Sequence, residues 1–178
     1  DGGNSGKQTV YKLVSGTWTL VGAAFGGNFS QYTSIAIDST GVPYVAFTDS
    51  ANSNKPTVYK FNGVAWILVG AAFGGGSSNF ASIAIDSTGV PYVAFTDGAN
   101  NSKQTVYKLV SGTWTLVGAA FGGNFSNYSS IAIDSTGVPY VAFTDGGNNY
   151  KSTVAALTAP AGATVKLRVS YQVLSLLT

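Results

Sequence analysis

IAIDSTGVPYVAFTD, at 35–49, returns unchanged at 83–97 and 131–145. Ile35 and Ile37 alternate with Ala36 and Asp38, the turn formers Ser39, Thr40, Gly41 and Pro43 follow, and Tyr44 to Thr48 is again rich in aromatic and β-branched residues. The stretch reads as a β-hairpin with a tight polar turn. Neighbouring features keep the same period of 48 residues, so the chain is a repeat array before it is anything else.

Asp1 aligns with Asp49, Asp97 and Asp145, which divides the chain into units 1–48, 49–96 and 97–144. The first and third units differ only at Gly3/Ala99, Ser5/Asn101, Gly6/Ser102, Gln31/Asn127 and Thr33/Ser129. Each unit opens on a polar loop (DGGNSGKQT in the first), followed by a strand (TVYKL, 9–13), a turn and a partner strand (TWTLV, 17–21). In the second unit the turn is Asn62-Gly63, a dipeptide suited to positive φ at both central residues. A Gly- and aromatic-rich crossing, GAAFGGNFSQYT at 22–33, then leads into the repeated hairpin.

Four short strands per unit of 48 residues predict an all-β, propeller-like array of four-stranded antiparallel blades over 1–150, with a strand tail at 151–178. No segment shows a helical apolar period, which excludes a helical solenoid. A blade buries both sheet faces against its neighbours, and that accounts for apolar runs such as VPYVAF where strict alternation would otherwise be expected.

The run W-x-x-VG, the aromatic crossing, S-I-A-x-D-S-x-G-x-P-Y-V-A-F-x-D and N-x-x-K-x-T-V-Y-K together resemble the propeller-type repeats of large secreted or surface proteins of bacteria. The resemblance implies an extracellular propeller or open propeller-like array. It carries no catalytic residues to transfer.

With SIAID innermost and TWTLV outermost, the chain supplies an orphan outer pair (9–21), two whole blades (34–69 and 82–117) and an inner pair (130–144). Closing the outer pair onto the inner pair gives only three blades, fewer than the roughly four to eight of closed propellers. Open blade edges are templates for another chain. The tail alternates strictly, with Val165, Leu167, Val169, Tyr171 and Val173 on one side and Lys166, Arg168, Ser170 and Gln172 on the other. It either completes the last blade, together with STVAAL, or adds to a neighbouring subunit's edge.

Charged residues are only 9% of the chain, well below about a quarter in an ordinary soluble domain, so charge gives little protection against self-association. The net charge of +2 is uneven, because Lys151, Lys166 and Arg168 lie in a tail without acids. Three interrupted charges do not make a nucleic-acid or lipid patch. No apolar run approaches the roughly 20 residues of a membrane span, and a secreted or cell-surface location is expected, with any leader already removed.

The chain has no His, Cys, Met or Glu. Thiol chemistry and disulfides are excluded, no cofactor is expected, and acid–base or nucleophilic work would fall to residues that all sit at repeated structural positions. Asp38, Asp86 and Asp134 open D-S-T-G turns and are expected to bond the turn amides. Asp49, Asp97 and Asp145, with Asn52, Asn100 and Asn148 close by, offer one carboxylate per loop, too few for a tight calcium site, and each has a lysine (Lys55, Lys103 or Lys151) six residues on to pair with. Trp18, Trp66 and Trp114, with Tyr11, Tyr59 and Tyr107, are expected to fill the interfaces between blades.

Two functional expectations follow. The first is a structural protein completed head to tail by identical copies, as a closed oligomer or a filament, through Val10, Tyr11, Trp18, Leu20 and the apolar side of the tail. The alternative is a multivalent lectin-like module with a glycan face made by Phe29, Tyr32, Phe80, Phe125 and Tyr128. An enzyme is not expected.

Overall fold

A computed structural model describes residues 2–158 and 166–170. Fourteen strands are defined there: β1 (Tyr11–Val14), β2 (Thr17–Leu20), β3 (Gln31–Ile37), β4 (Pro43–Asp49), β5 (Lys55–Phe61), β6 (Trp66–Leu68), β7 (Ser78–Ile85), β8 (Pro91–Asp97), β9 (Lys103–Val110), β10 (Thr113–Leu116), β11 (Asn127–Ile133), β12 (Pro139–Asp145), β13 (Lys151–Thr158) and β14 (Lys166–Ser170). Single 3₁₀ turns at Gly2–Asn4, Ser50–Asn52, Gly98–Asn100 and Gly146–Asn148 are the only helical elements among the described residues. None is long and apolar enough to cross a membrane.

The strands form three four-stranded antiparallel sheets, β3 to β6, β7 to β10 and β11 to β14, each in chain order, and a separate two-stranded sheet of β1 and β2. The inner strands β3, β7 and β11 are neighbours in that order, so the sheets stand side by side as blades. The array is all-β and propeller-like, and its ring is not closed.

The expected strand order is observed, and the orphan outer pair is the β1–β2 hairpin. The last inner pair, β11–β12, is completed within the chain. Tyr140 to Asp145 pair with Lys151 to Ala156, and Val154 to Thr158 pair with Lys166 to Ser170. Leu167 and Val169 therefore lie opposite Leu157 and Ala155 of their own chain. Val165, Tyr171 and Val173 lie outside the described residues.

One turn differs from its sequence reading. Asn62-Gly63 is not a two-residue turn, because β5 and β6 are joined by Asn62 to Ala65 and only Gly63 of the pair has positive φ. The Asn62 carboxamide oxygen accepts from the Val64 and Ala65 amides (3.0 and 2.8 Å), and this favours the longer loop. Positive φ at both central residues occurs instead at Ser15-Gly16 and Ser111-Gly112.

The core lies between blades. Ile83, Val93, Phe95 and Trp114 of the middle blade pack against Tyr44, Ala46 and Val58 of the first. Its opposite face, with Tyr92, Ala94 and Val106, packs against Ile131, Val141 and Phe143 of the last. Fully burying a side chain such as Phe95 stabilises by roughly 1.5–3 kcal/mol, and doing so on both faces removes any polar alternation from β8.

The junctions of the hairpin with the first blade and of the first blade with the middle one are locked by the same pair. Trp66 stacks on Phe25 of the crossing (4.4 Å, 19°), and Trp114 stacks on Phe73 (4.3 Å, 23°). The Trp66 indole N–H donates to the Val21 carbonyl (2.7 Å) and that of Trp114 to the Val69 carbonyl (2.8 Å). The glycine after each valine in the V-G pair is required here: Gly70 has φ +67°, and a Cβ would lie 2.9 Å from Trp114. Trp114→Ala removes the stack and the bond together and is expected to cost about 3–5 kcal/mol in denaturant unfolding. Gly70→Ala should also destabilise, and a loss below about 1 kcal/mol in both variants would show that the lock is dispensable.

Candidate functional site

The inner strand of every blade carries a bulge, where the pairing register shifts between Gln31 and Ser34, Asn79 and Ser82, and Asn127 and Ser130. Tyr32, Phe80 and Tyr128 sit on these bulges with φ of 54°, 56° and 55°. Bulky residues rarely adopt positive φ, and the extra residue re-aims the side chain away from the ladder. The three rings form one row, Tyr32 to Phe80 at 4.5 Å and Phe80 to Tyr128 at 4.6 Å.

On the crossings that lead into these bulges, Phe29 and Phe125 are exposed and also have positive φ. The Phe29 amide donates to the Ser5 carbonyl (3.1 Å) and the Phe125 amide to that of Asn101 (3.2 Å), which ties each crossing to a polar loop. In the second unit Ser77 stands at this position. All five aromatics named from the sequence thus sit on the crossings or on the bulged starts of the inner strands, at the end of the array that carries the polar loops.

The aspartates have structural partners. Asp49 Oδ1 accepts from the Ala51 amide (3.0 Å) and, across to the crossing, from the Gly27 amide (3.1 Å), while Oδ2 accepts from the Asn52 amide group (2.8 Å). Asp97 holds Ala99 and Asn100 in the same way, and Asp145 holds Gly147 and Gly123. Among the described residues no group of three or more His, Cys, Asp or Glu is placed to hold a metal.

At the other end of the blades, Asp38 Oδ1 accepts from the Thr40 amide (2.9 Å), the Thr40 hydroxyl (2.7 Å) and the Val42 amide (3.0 Å). Those bonds, the Thr40 hydroxyl first, hold its carboxyl below the ordinary carboxylate value, and Thr136 and Val138 do the same for Asp134. At Asp86 burial pushes upward, but bonds from Thr88 and Val90 prevail and the value is again lowered.

The two ends of the array differ from its middle. Ile35 is 52% exposed where its repeat equivalent Ile83 is 5%, and Ile37 is exposed as well. At the far end Val154 is 45% exposed where Val58 and Val106 are 1%, and Tyr140 has lost the cover that Tyr44 and Tyr92 have. Trp18 is 68% exposed, against 9% for Trp66 and 8% for Trp114. Of the residues expected to mediate assembly, Val10 packs on the first blade, and Tyr11 and Trp18 face outward. Leu20 is exposed no more than Leu68 and Leu116 of complete blades, so its exposure is not a mark of an open end.

Sequence reasoning missed Ile35, Ile37, Tyr140 and Val154. Ile35, Ile37 and Tyr140 have identical residues at the covered repeat positions, and Val154 matches Val58 and Val106. The residues themselves therefore carry no signal that separates the open copies from the covered ones.

No family model matches the chain, and no curated protein matches it in sequence. Among solved structures it is similar to the lectin of Aleuria aurantia, a six-bladed β-propeller with a fucose recognition mode, at TM-score 0.62 and 15% identity, covering 90% of this chain and 52% of the lectin. It is also similar to a protein of unknown function from Dyadobacter fermentans (TM-score 0.55, 15% identity, 86% and 55% covered). A third similarity is to an endo-1,4-β-xylanase from Bacteroides thetaiotaomicron (TM-score 0.54, 13% identity, 83% and 60% covered). The chain spans between 52% and 60% of the length of these proteins. At such identities the likeness is one of fold, and that fold serves lectins and carbohydrate-cleaving enzymes alike.

Carboxylates with lowered folded values contribute stability that is present above the unfolded value and lost as pH falls through the folded one. The unfolding midpoint is therefore expected to be level above about pH 5 and to drop below about pH 4. The Asp38→Asn, Asp86→Asn, Asp134→Asn triple variant should flatten that acid limb, and an unchanged limb would assign it to other groups.

Proposed function

We propose that the chain is a carbohydrate-binding propeller module which presents the row Tyr32, Phe80, Tyr128, together with Phe29 and Phe125, to the apolar faces of sugar rings. The observation that supports this most is the row itself: three rings in successive contact, each on a bulge with positive φ. Backbone of this kind is maintained only where surrounding structure over-determines it, and it concentrates at functional sites. Rigid aromatic surfaces stack on sugar C–H faces with little loss of side-chain freedom, and repetition adds avidity.

The fold likeness to a fucose-recognising lectin accords with this reading. A binding role without catalysis accords with the acids, because every described aspartate accepts hydrogen bonds from its own turn or loop and no Glu or His is present. Export to the cell surface or medium is part of the proposal, since that is where such glycans are met.

A second reading, association of copies, rests on a separate observation: the covered and exposed positions reverse at the two ends of the array, leaving each end apolar and open.

The test for glycan binding is an array that includes fucosylated and plant-type oligosaccharides, probed with the wild type and with Tyr128→Ala plus Phe125→Ala. Both rings are exposed, so the variant should fold normally. About tenfold weaker binding per ring lost is expected. Silence on the array, or equal binding by the variant, would remove this reading.

A further inference from the structure

The hairpin β1–β2 keeps every partner group of a blade's outer pair but has no inner pair beside it among the described residues. The last inner pair is joined to β13–β14 but lacks several side chains that an outer pair supplies in the first two blades. In the first two blades the crossing phenylalanine touches three rings: Phe25 meets Phe47, Tyr59 and Trp66, and Phe73 meets Phe95, Tyr107 and Trp114. In the last blade Phe121 keeps Phe143 (5.6 Å), while the tyrosine position is Ala155 and the tryptophan position falls at 162, a glycine by sequence. Tyr92 has the Lys108 ammonium over its ring at 6.0 Å, but its equivalent Tyr140 stands opposite Ala156. The three groups lost from the tail are a lysine, a tyrosine and a tryptophan. The hairpin carries all three, as Lys12, Tyr11 and Trp18, at the same repeat positions, and Tyr11 and Trp18 are exposed.

Between hairpin and first blade lies an open slot of about 430 Å³, walled by Val10, Tyr11 and Val21 on one side and by Ile35, Ile37 and Pro43 on the other. It is the place an inner pair would occupy. The matching surface is the back of β11–β12, where Tyr140 and Ala142 are exposed although Tyr44 and Ala46, at the same positions, are buried against the middle blade. The chain thus contains two finished copies of an interface whose two halves are left open at its ends.

We propose that two copies of this chain exchange outer pairs: the β1–β2 hairpin of one docks beside β12 of the other and takes the place of β13–β14. The inner pair enters the slot and covers Ile35 and Ile37. Trp18 reaches Phe121 and the Val117 carbonyl as Trp66 reaches Phe25 and Val21. The proposal rests on the association reading above and names the strands that carry it.

The register of β4 with β5 sets the test. Tyr44 pairs with Lys60, so exchange pairs Tyr140 with Lys12 of the other copy, whereas pairing within the chain places Tyr140 opposite Ala156. Antiparallel partners stand about 4.5–5.5 Å apart, within reach of a disulfide, and the chain has no cysteine of its own. The Lys12→Cys, Tyr140→Cys variant, refolded at high concentration and oxidised, is expected to run as a covalent dimer on a non-reducing gel. The Tyr140→Cys, Ala156→Cys variant should then be poorly oxidised in the dimer fraction.

Efficient intrachain oxidation of the second variant within a dimer, with no covalent dimer from the first, would overturn the exchange and leave association standing. A wild-type chain that sediments as a monomer at every concentration would overturn both. Acrylamide quenching of the unmodified protein gives an independent readout. One of three tryptophans is expected to be accessible in the monomer and none in the dimer, and an accessible Trp18 in the dimer contradicts the exchange.

Discussion

The stack of a blade's tryptophan on the phenylalanine of the preceding crossing, fastened by an indole hydrogen bond to a backbone carbonyl, is the contact on which the first two junctions of the array depend. It joins an outer strand to the crossing that enters its own blade and to the chain leaving the outer pair before it, so one residue orients two blades. The large apolar area of both rings supplies the attraction, and the indole N–H supplies direction. A glycine with positive φ makes the close approach possible at Gly22 and Gly70, where V-G directly follows the T-W-T-L and W-I-L strands. Where a partner is missing, as at Trp18, the array is open.

The same rigidity supports the aromatic row. A bulge in an inner strand interrupts pairing at the cost of ladder hydrogen bonds, and it is held because pairing with the second strand of the blade resumes on each side of the shift. The carboxylates of Asp49, Asp97 and Asp145, each fixed to its own 3₁₀ turn, hold the loops at the same end, and those of Asp49 and Asp145 also bond the adjacent crossing. These rings, of which Phe80 is half-buried, are therefore mounted on a framework with few degrees of freedom, a condition for recognition that does not first have to order its own surface.

Much of this was legible in the residues. The strand order, the blade as the repeating unit, the turn role of Asp38, Asp86 and Asp134, and the interface role of Trp66 and Trp114 follow from period and residue type. Other features did not follow. Asn62-Gly63 forms a longer loop because the Asn62 side chain captures two amides. Leu167 and Val169 pair within their own chain, although their alternation was equally compatible with pairing elsewhere. The five aromatics of the candidate face were named from their position in the crossings, but the contact of Tyr32, Phe80 and Tyr128 as a row depends on bulges that leave no mark in local composition.

Local sequence determined the unit: which residues form strands, where they turn, and which side chains are apolar enough to need a neighbour. Tertiary structure alone decided which of the identical copies have that neighbour. Ile35 and Ile83 are the same residue in the same local sequence, yet one is open and the other covered, because burial belongs to the sheet packed across from it and not to the strand that carries it.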